Sequence, residues 1–264
     1  MLSQWLDCKA FTPSPYTKFR LMETSENCPI PLNVKEYLKK ALLNARINLG
    51  LFQNLAKRLG WSNVESLLAQ TVFPTLPKMK RGFFGEVLVC KILEDLSGYI
   101  IPVKKWRYAI TKNQSLPGTD AIAIKMSGGS ISELFFVESK LRTSSDNTVA
   151  LKGYEQLKAD YFKELPEMIL FVLGRLEEQK NEYFPAFQAY FLDRKNKTKI
   201  ESFYLGLIWD KKVWSDKVLE NLETDIVING VPELTVNKTC IENLVDCVNN
   251  HYKEVGFGES SDDE

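Results

Sequence analysis

Leu134-Phe-Phe-Val-Glu-Ser-Lys-Leu141 is an apolar run too continuous for a strand exposed on either face, and it predicts a strand inside a sheet. Residues two apart on a strand point the same way, so Glu138 and Lys140 project together and Ser139 projects oppositely. Asp120-Ala-Ile-Ala-Ile124 predicts a second strand, and Gly128-Gly129 between the two marks a hairpin turn. Working outward, Phe84, Leu88, Ile92 and Leu96 form one stripe of a helix over 81–96 that stops at Gly98. Tyr99–Val103 and Trp106–Ile110 read as extended pieces. Helical spacing returns over 147–165, and Met168-Ile-Leu-Phe-Val-Leu173 predicts a third buried strand. The order helix, strands, helix, strand gives an α/β core with a mixed sheet.

A carboxylate at the edge of such a core needs a partner, because burying a lone charge costs several kcal/mol. A hairpin brings Asp120 close to Glu138, and two carboxylates that close repel unless a divalent cation relieves them. Hard oxygen ligands suit Mg2+ or Mn2+ rather than zinc. Each residue also has an ordinary reading. Glu-x-Lys on a strand is commonly a same-face ion pair worth less than ~1 kcal/mol. An aspartate after Pro117-Gly118 is commonly a turn residue. All three on adjacent buried strands, after a helix carrying Glu86, favour a catalytic site.

The flanks are less informative. Residues 1–32, with four prolines, read as irregular or short strands. Asn33 reads as the N-cap of one long helix carrying Leu38, Leu42, Leu43, Ile47, Leu49, Leu51 and Leu55, which stops at Gly60. Ser62 and Glu65 form a capping box for a short helix, and Pro74–Lys80 reads as a connector. Beyond the core, Phe187, Tyr190 and Phe191 suggest an aromatic strand, Tyr204–Trp209 another strand, and Cys240–Tyr252 a helix. The expected organisation is a mostly helical extension (1–80), the α/β core (81–175), an α/β continuation (176–255) and a disordered acidic tail (256–264).

At 264 residues, 44% hydrophobic and 26% charged, the chain is excluded from the disordered, collagen-like and disulfide-scaffold classes. Lys+Arg and Asp+Glu both total 34, yet residues 1–164 carry +8 and residues 165–264 carry −8. The basic part suits a polyanion. The five cysteines include no CxxC pair, and with His251 as the one histidine a structural zinc is not expected. Met1–Asp7 lacks the pattern of a secretory signal, and no run approaches the ~20 apolar residues of a membrane span. The expectation is a soluble, cytoplasmic protein. Were a polyanion such as a nucleic acid the partner, its phosphate contacts would come from the basic part, where Lys78, Lys80, Arg81, Lys104, Lys105, Arg107, Arg142 and Lys152 are candidates. Arg81 and Arg142 flank the two motif segments. No helix-turn-helix or other base-reading element is visible, so any nucleic-acid contact is expected to lack strong sequence specificity.

The arrangement over 81–173 resembles the PD-(D/E)XK nuclease superfamily: a helix with Glu86, a strand with Asp120, a strand with Glu138-Ser-Lys140, a helix and a strand. One departure is that proline does not directly precede the aspartate. Arg81-Gly-Phe-Phe-Gly-Glu86, Leu116-Pro-Gly-Thr-Asp-Ala121 and Phe136-Val-Glu-Ser-Lys-Leu-Arg142 are similar, more closely, to the HamA family, the nuclease effectors of the Hachiman anti-phage system.

The resemblance implies a restriction-endonuclease-like core with an N-terminal helical extension. It also implies Mg2+, with Mn2+ possible, held by Asp120, Glu138 and the Ser139 carbonyl. Lys140 would orient water or stabilise charge, and Glu86 would be a further carboxylate. Lys80, Arg81, Arg142 and Lys152 would meet DNA, and the implied partner is HamB, a superfamily 2 helicase using ATP. Two alternatives stay open: a catalytically silent nucleic-acid-binding scaffold subunit of the helicase complex, and an RNA-cutting enzyme.

Overall fold

A computed structural model describes residues 1–60, 72–114, 116–197 and 200–254. The chain begins with two short antiparallel strands, β1 (Leu6–Ala10) and β2 (Arg20–Glu26). Helices α1 (Leu32–Arg46), α2 (Leu49–Arg58) and α3 (Pro77–Ser97) follow. Next come the hairpin strands β3 (Ala121–Ser127) and β4 (Ser130–Arg142). Helix α4 (Val149–Ala159) runs through a π-helical turn, Asp160–Glu164, into α5 (Leu165–Glu178) and then α6 (Phe184–Leu192). The chain continues with β5 (Glu201–Asp210), α7 (Lys217–Asp225), β6 (Glu233–Ile241) and α8 (Leu244–Glu254).

The six strands form one mixed sheet in the order β1-β2-β6-β5-β4-β3. β2, β6, β5 and β4 are mutually parallel, and the antiparallel β1 and β3 close the two edges. Helices cover both faces. One layer packs α1, α3 and α8 residues against Val137, Leu141, Tyr204 and Ile208; the other packs α4, α5, α6 and α7 residues against Phe136, Phe203, Leu205 and Leu207. The mixed α/β class expected from sequence is therefore the one observed. Burial of both faces explains the near-continuous apolar run of β5, Phe203-Tyr-Leu-Gly-Leu-Ile-Trp209. Asn237 stitches the middle of the sheet, accepting from Thr24 Oγ1 at 3.0 Å and donating to Tyr204 Oη at 2.6 Å.

Several local expectations need correction. Met168–Leu173 is part of helix α5, not a strand: Pro166 lies in the first turn of a 14-residue helix that buries Leu165, Val172 and Leu176 and leaves Leu170 exposed. Phe187, Tyr190 and Phe191 lie on α6, and their i, i+3, i+4 spacing is that of a helix face. The third core strand is instead β5. Residues 240–241 end β6, so the last helix starts only at Leu244.

The expected long N-terminal helix is two. Ile47 is extended, and the Asn48 side chain caps α2 by accepting from the Leu51 amide at 3.2 Å, whereas Asn33 lies inside the first turn of α1. Leu51 and Leu55 consequently leave the core stripe and are exposed. The expected connector supplies the start of α3, with Pro77 at its first position. Trp106–Ile110 is not extended, because Lys105–Tyr108 forms a 3-10 turn; of 99–103, Ile100 makes only a bridge to Ile124. The capping box at Ser62 and Glu65 and the acidic tail 256–264 lie outside the described residues. Among the described residues, no helix is long and apolar enough to cross a membrane.

Candidate active site

The β3–β4 hairpin sets the site. Its turn uses Gly128 and Gly129, both at positive φ (55° and 79°), which lets a two-residue link join the strands. Along β4 the pleat sends Leu134 and Phe136 into the α4–α7 layer and Val137 and Leu141 into the α3 layer. Glu138 and Lys140 therefore enter the α4 side together, as expected from sequence. The Lys140 ammonium donates directly to Glu138 Oε1. Glu138 is buried, at 5% exposure, while Lys140 keeps part of its side chain in solvent.

Asp120 stands just before β3, across from the Glu138–Ser139 part of β4, with its amide donating to the Val137 carbonyl at 2.9 Å. Its Oδ2 accepts from the Ser139 amide at 2.7 Å and the Ser139 hydroxyl at 2.8 Å. The turn that delivers it passes through Gly118 at φ 80°. Lys105 clamps that turn, its ammonium donating to the carbonyls of Gly118 at 2.6 Å and Thr119 at 2.9 Å.

Glu86 approaches from the other layer. Gly85 lets α3 press on β4, because a Cβ there would already stand 3.0 Å from Leu141 Cβ. The Trp106 indole N–H donates to Glu86 Oε2. Trp106 is itself held by Arg46, whose guanidinium lies 5.3 Å from the indole centroid and donates to the carbonyls of Val72, Trp106 and Lys112. Glu86, Asp120, Lys104, Lys105, Trp106 and Arg107 line one cavity of about 450 Å³. Asp120 and Lys105 also border a smaller, apolar one of about 240 Å³ against Met168 and Phe171.

The three carboxyl groups feel one another. Burial, reinforced by the Asp120 charge, pushes Glu138 up to about 8 against the opposing pull of Lys140. Burial and then Asp120 also raise Glu86, opposed by the Trp106 hydrogen bond and by Lys105. Burial raises Asp120, opposed first by Lys105 and then by Ser139. Such a site favours anything that brings positive charge to it.

Glu138 and Lys140 are thus in contact, Asp120 and Ser139 are in contact, and Glu86 reaches them through its field alone. Among the described residues, no group of three or more His, Cys, Asp or Glu side chains is placed to hold a metal ion. The basic candidates scatter. Arg142 Nε and Lys152 Nζ both lie 3.7 Å from Asp146 Oδ2. Lys78, Lys80 and Arg81 lie in the first turns of α3, with the Lys80 ammonium 5.7 Å from the Tyr252 ring centroid. Lys104 pairs with Glu94 at 3.4 Å, and Arg107 donates to the Asn44 carbonyl at 2.6 Å. Two participants escaped the sequence reading. Trp106 is tied to Glu86 across 20 residues by a 3-10 turn that leaves no periodicity to read. Asp160 looked like one more polar position of a helix, yet it is buried beside the site.

A family model described as HamA matches residues 25–256. No curated protein matches the chain.

Proposed function

The chain belongs to the HamA family, a component of the Hachiman anti-phage defence system, and from that premise we propose that it is a metal-dependent DNA endonuclease, the effector of a helicase-coupled complex. The observation that carries this reading is the contact between Glu138 and Lys140 on one face of buried β4, with Asp120 across from them. That layout agrees with the restriction-endonuclease-like core of the PD-(D/E)XK nucleases.

The donors available are hard oxygens: the Asp120 and Glu138 carboxylates and the Ser139 main-chain carbonyl. They fit Mg2+, and also Mn2+, since Mg2+ keeps several waters and needs only one or two carboxylates. When bound, such an ion lowers the pKa of water and shields charge on the phosphorane-like transition state. The chain's own groups do the rest. Lys140, which rests on Glu138, turns its ammonium to the attacking water or to negative charge developing on the phosphate. Glu86, held by Trp106, orients water from the opposite layer. Lys80, Arg81, Arg142 and Lys152 meet DNA phosphates and carry no base information, so cleavage has no strong sequence preference. The partner in this reading is the superfamily 2 helicase HamB, which restrains the nuclease and then releases it.

The test is plasmid cleavage with Mg2+ by the protein alone and by its helicase complex with ATP. Glu138→Ala and Lys140→Ala are expected to lose about 100-fold or more of the activity. Undiminished cleavage in either removes this site. A second reading, a silent nucleic-acid-binding scaffold subunit, is favoured by the fact that Glu138 and Asp120 both already have protein partners. It requires DNA binding that survives Asp120→Ala and no strand breaks under any condition.

A further inference from the structure

Asp160 sits where α4 gives way to the π-helical turn. It is 1% exposed; its Oδ1 accepts from Gln156 Nε2 at 2.7 Å, while its buried Oδ2 has no hydrogen-bond partner among the described residues. An unpaired buried carboxylate oxygen costs stability unless a water or an ion completes it. Single π turns inside helices frequently mark functional positions, because the extra residue re-aims a side chain.

Three observations place Asp160 on the Glu138–Lys140 side of the sheet. It follows Gly153 by seven residues, two helical turns on, and therefore shares the face of α4 on which Gly153 meets Lys140. The segment just beyond it packs on the Asp120 turn, with Thr119 Oγ1 3.0 Å from Met168 Sδ and Glu164 Oε2 3.7 Å from the Cβ position of Gly118. Its charge is felt at Glu138, and the charge of Asp120 is felt at Asp160. Asp160 does not join Asp120 and Glu138 as a direct ligand set.

Resting on the divalent-ion reading above, we infer that Asp160 is an outer carboxylate of the site, whose unpartnered Oδ2 accepts a hydrogen bond from a water in the ion's hydration shell. It is a positioning residue that acts on the ion through water, as outer-shell groups of metal sites do.

The test titrates Mn2+ into the metal-free full-length protein, following free Mn2+ by electron paramagnetic resonance, with melting temperatures taken in EDTA. Asp160→Asn keeps the shape and removes the charge. The expected result is about tenfold weaker Mn2+ binding, with a melting temperature in EDTA equal to or above that of the wild type. Mn2+ affinity within twofold of wild type overturns the inference, as does a purely structural pattern of lowered melting temperature with unchanged affinity. Should Asp160→Asn fail to fold, Gln156→Ala at its exposed position asks the same question, since Gln156 orients the carboxylate. About threefold weaker binding supports the inference, and unchanged binding overturns it. Glu138→Gln separates the two levels. If it too leaves Mn2+ affinity unmoved, the ion site itself is refuted; if it weakens binding while Asp160→Asn does not, only the role of Asp160 falls.

Discussion

Gly153 on α4 lies against the stem of Lys140 with no room for a methyl group: a Cβ there would stand 3.4 Å from Lys140 Cγ, 3.5 Å from its Cε and 2.6 Å from Leu205 Cδ1. Leu205 is fully buried, so its Cδ1 could yield only by shifting within the packed layer. Overpacking of this kind costs about 1–3 kcal/mol, against about 1 kcal/mol gained from replacing glycine in a helix. Gly153→Ala is expected to lower the melting temperature by a few degrees and to cut DNA cleavage by displacing the ammonium. A variant that melts and cleaves like wild type would show that the close approach does not position Lys140.

Glu138 gives a pH signature. A carboxyl whose folded pKa is raised binds its proton more tightly in the native state, so its contribution to stability is whole below its ordinary value of 4.5 and is lost as pH rises through about 8. In EDTA, the wild type is expected to lose melting temperature between pH 5 and pH 9. Glu138→Gln should lose less, with a gap of about 5 °C at the alkaline end. Calorimetric scans with parallel pH profiles for the two proteins would contradict this.

Trp106 lends Glu86 a hydrogen bond that opposes its raised pKa. Trp106→Phe keeps most of the ring packing and removes the donor. The Glu86 carboxyl should then ionise at still higher pH, and the acid limb of the cleavage-versus-pH profile should move alkaline by roughly half a unit to one unit. An unmoved acid limb would mean that Glu86 does not take part in the rate-limiting chemistry.

Arg142 and Lys152 share Asp146 as a partner, each at 3.7 Å. A DNA phosphate would take the place of that carboxylate. Lys152→Ala should weaken binding equally for oligonucleotides of unrelated sequence and reduce the slope of log K against log salt by about 0.9. Asp146→Asn should tighten binding. Fluorescence anisotropy across a salt series measures both, and an unchanged slope for Lys152→Ala would remove that lysine from the interface.

The hairpin and its charges were legible in sequence because a period of two, a Gly-Gly turn and a conspicuous Glu-Ser-Lys all fall within 25 residues of one another. The helices after them were harder. An apolar run such as Met168–Leu173 looks the same whether strand or helix buries it; length and the flanking Leu165-Pro166 decide, and the run alone contains neither. The aromatic trio of α6 did carry the signal in its spacing, so that error was avoidable. Trp106 and Asp160 were hidden for a different reason. Their importance arises from contacts with Glu86 and from burial beside Glu138, and both depend on tertiary packing rather than on local pattern.

The order β1-β2-β6-β5-β4-β3 puts the last strand made between β2, one of the first, and β5, the strand made just before it. A ribosome therefore holds two unjoined half-sheets until residues near Ile241 emerge, each with a bare edge toward the other. Slow, long-range closure of this kind means that fragments cut short before β6 leave both edges available for aggregation. It also means that the six-stranded sheet, and with it the scaffold under Glu138 and Lys140, comes into being only once β6 has been made.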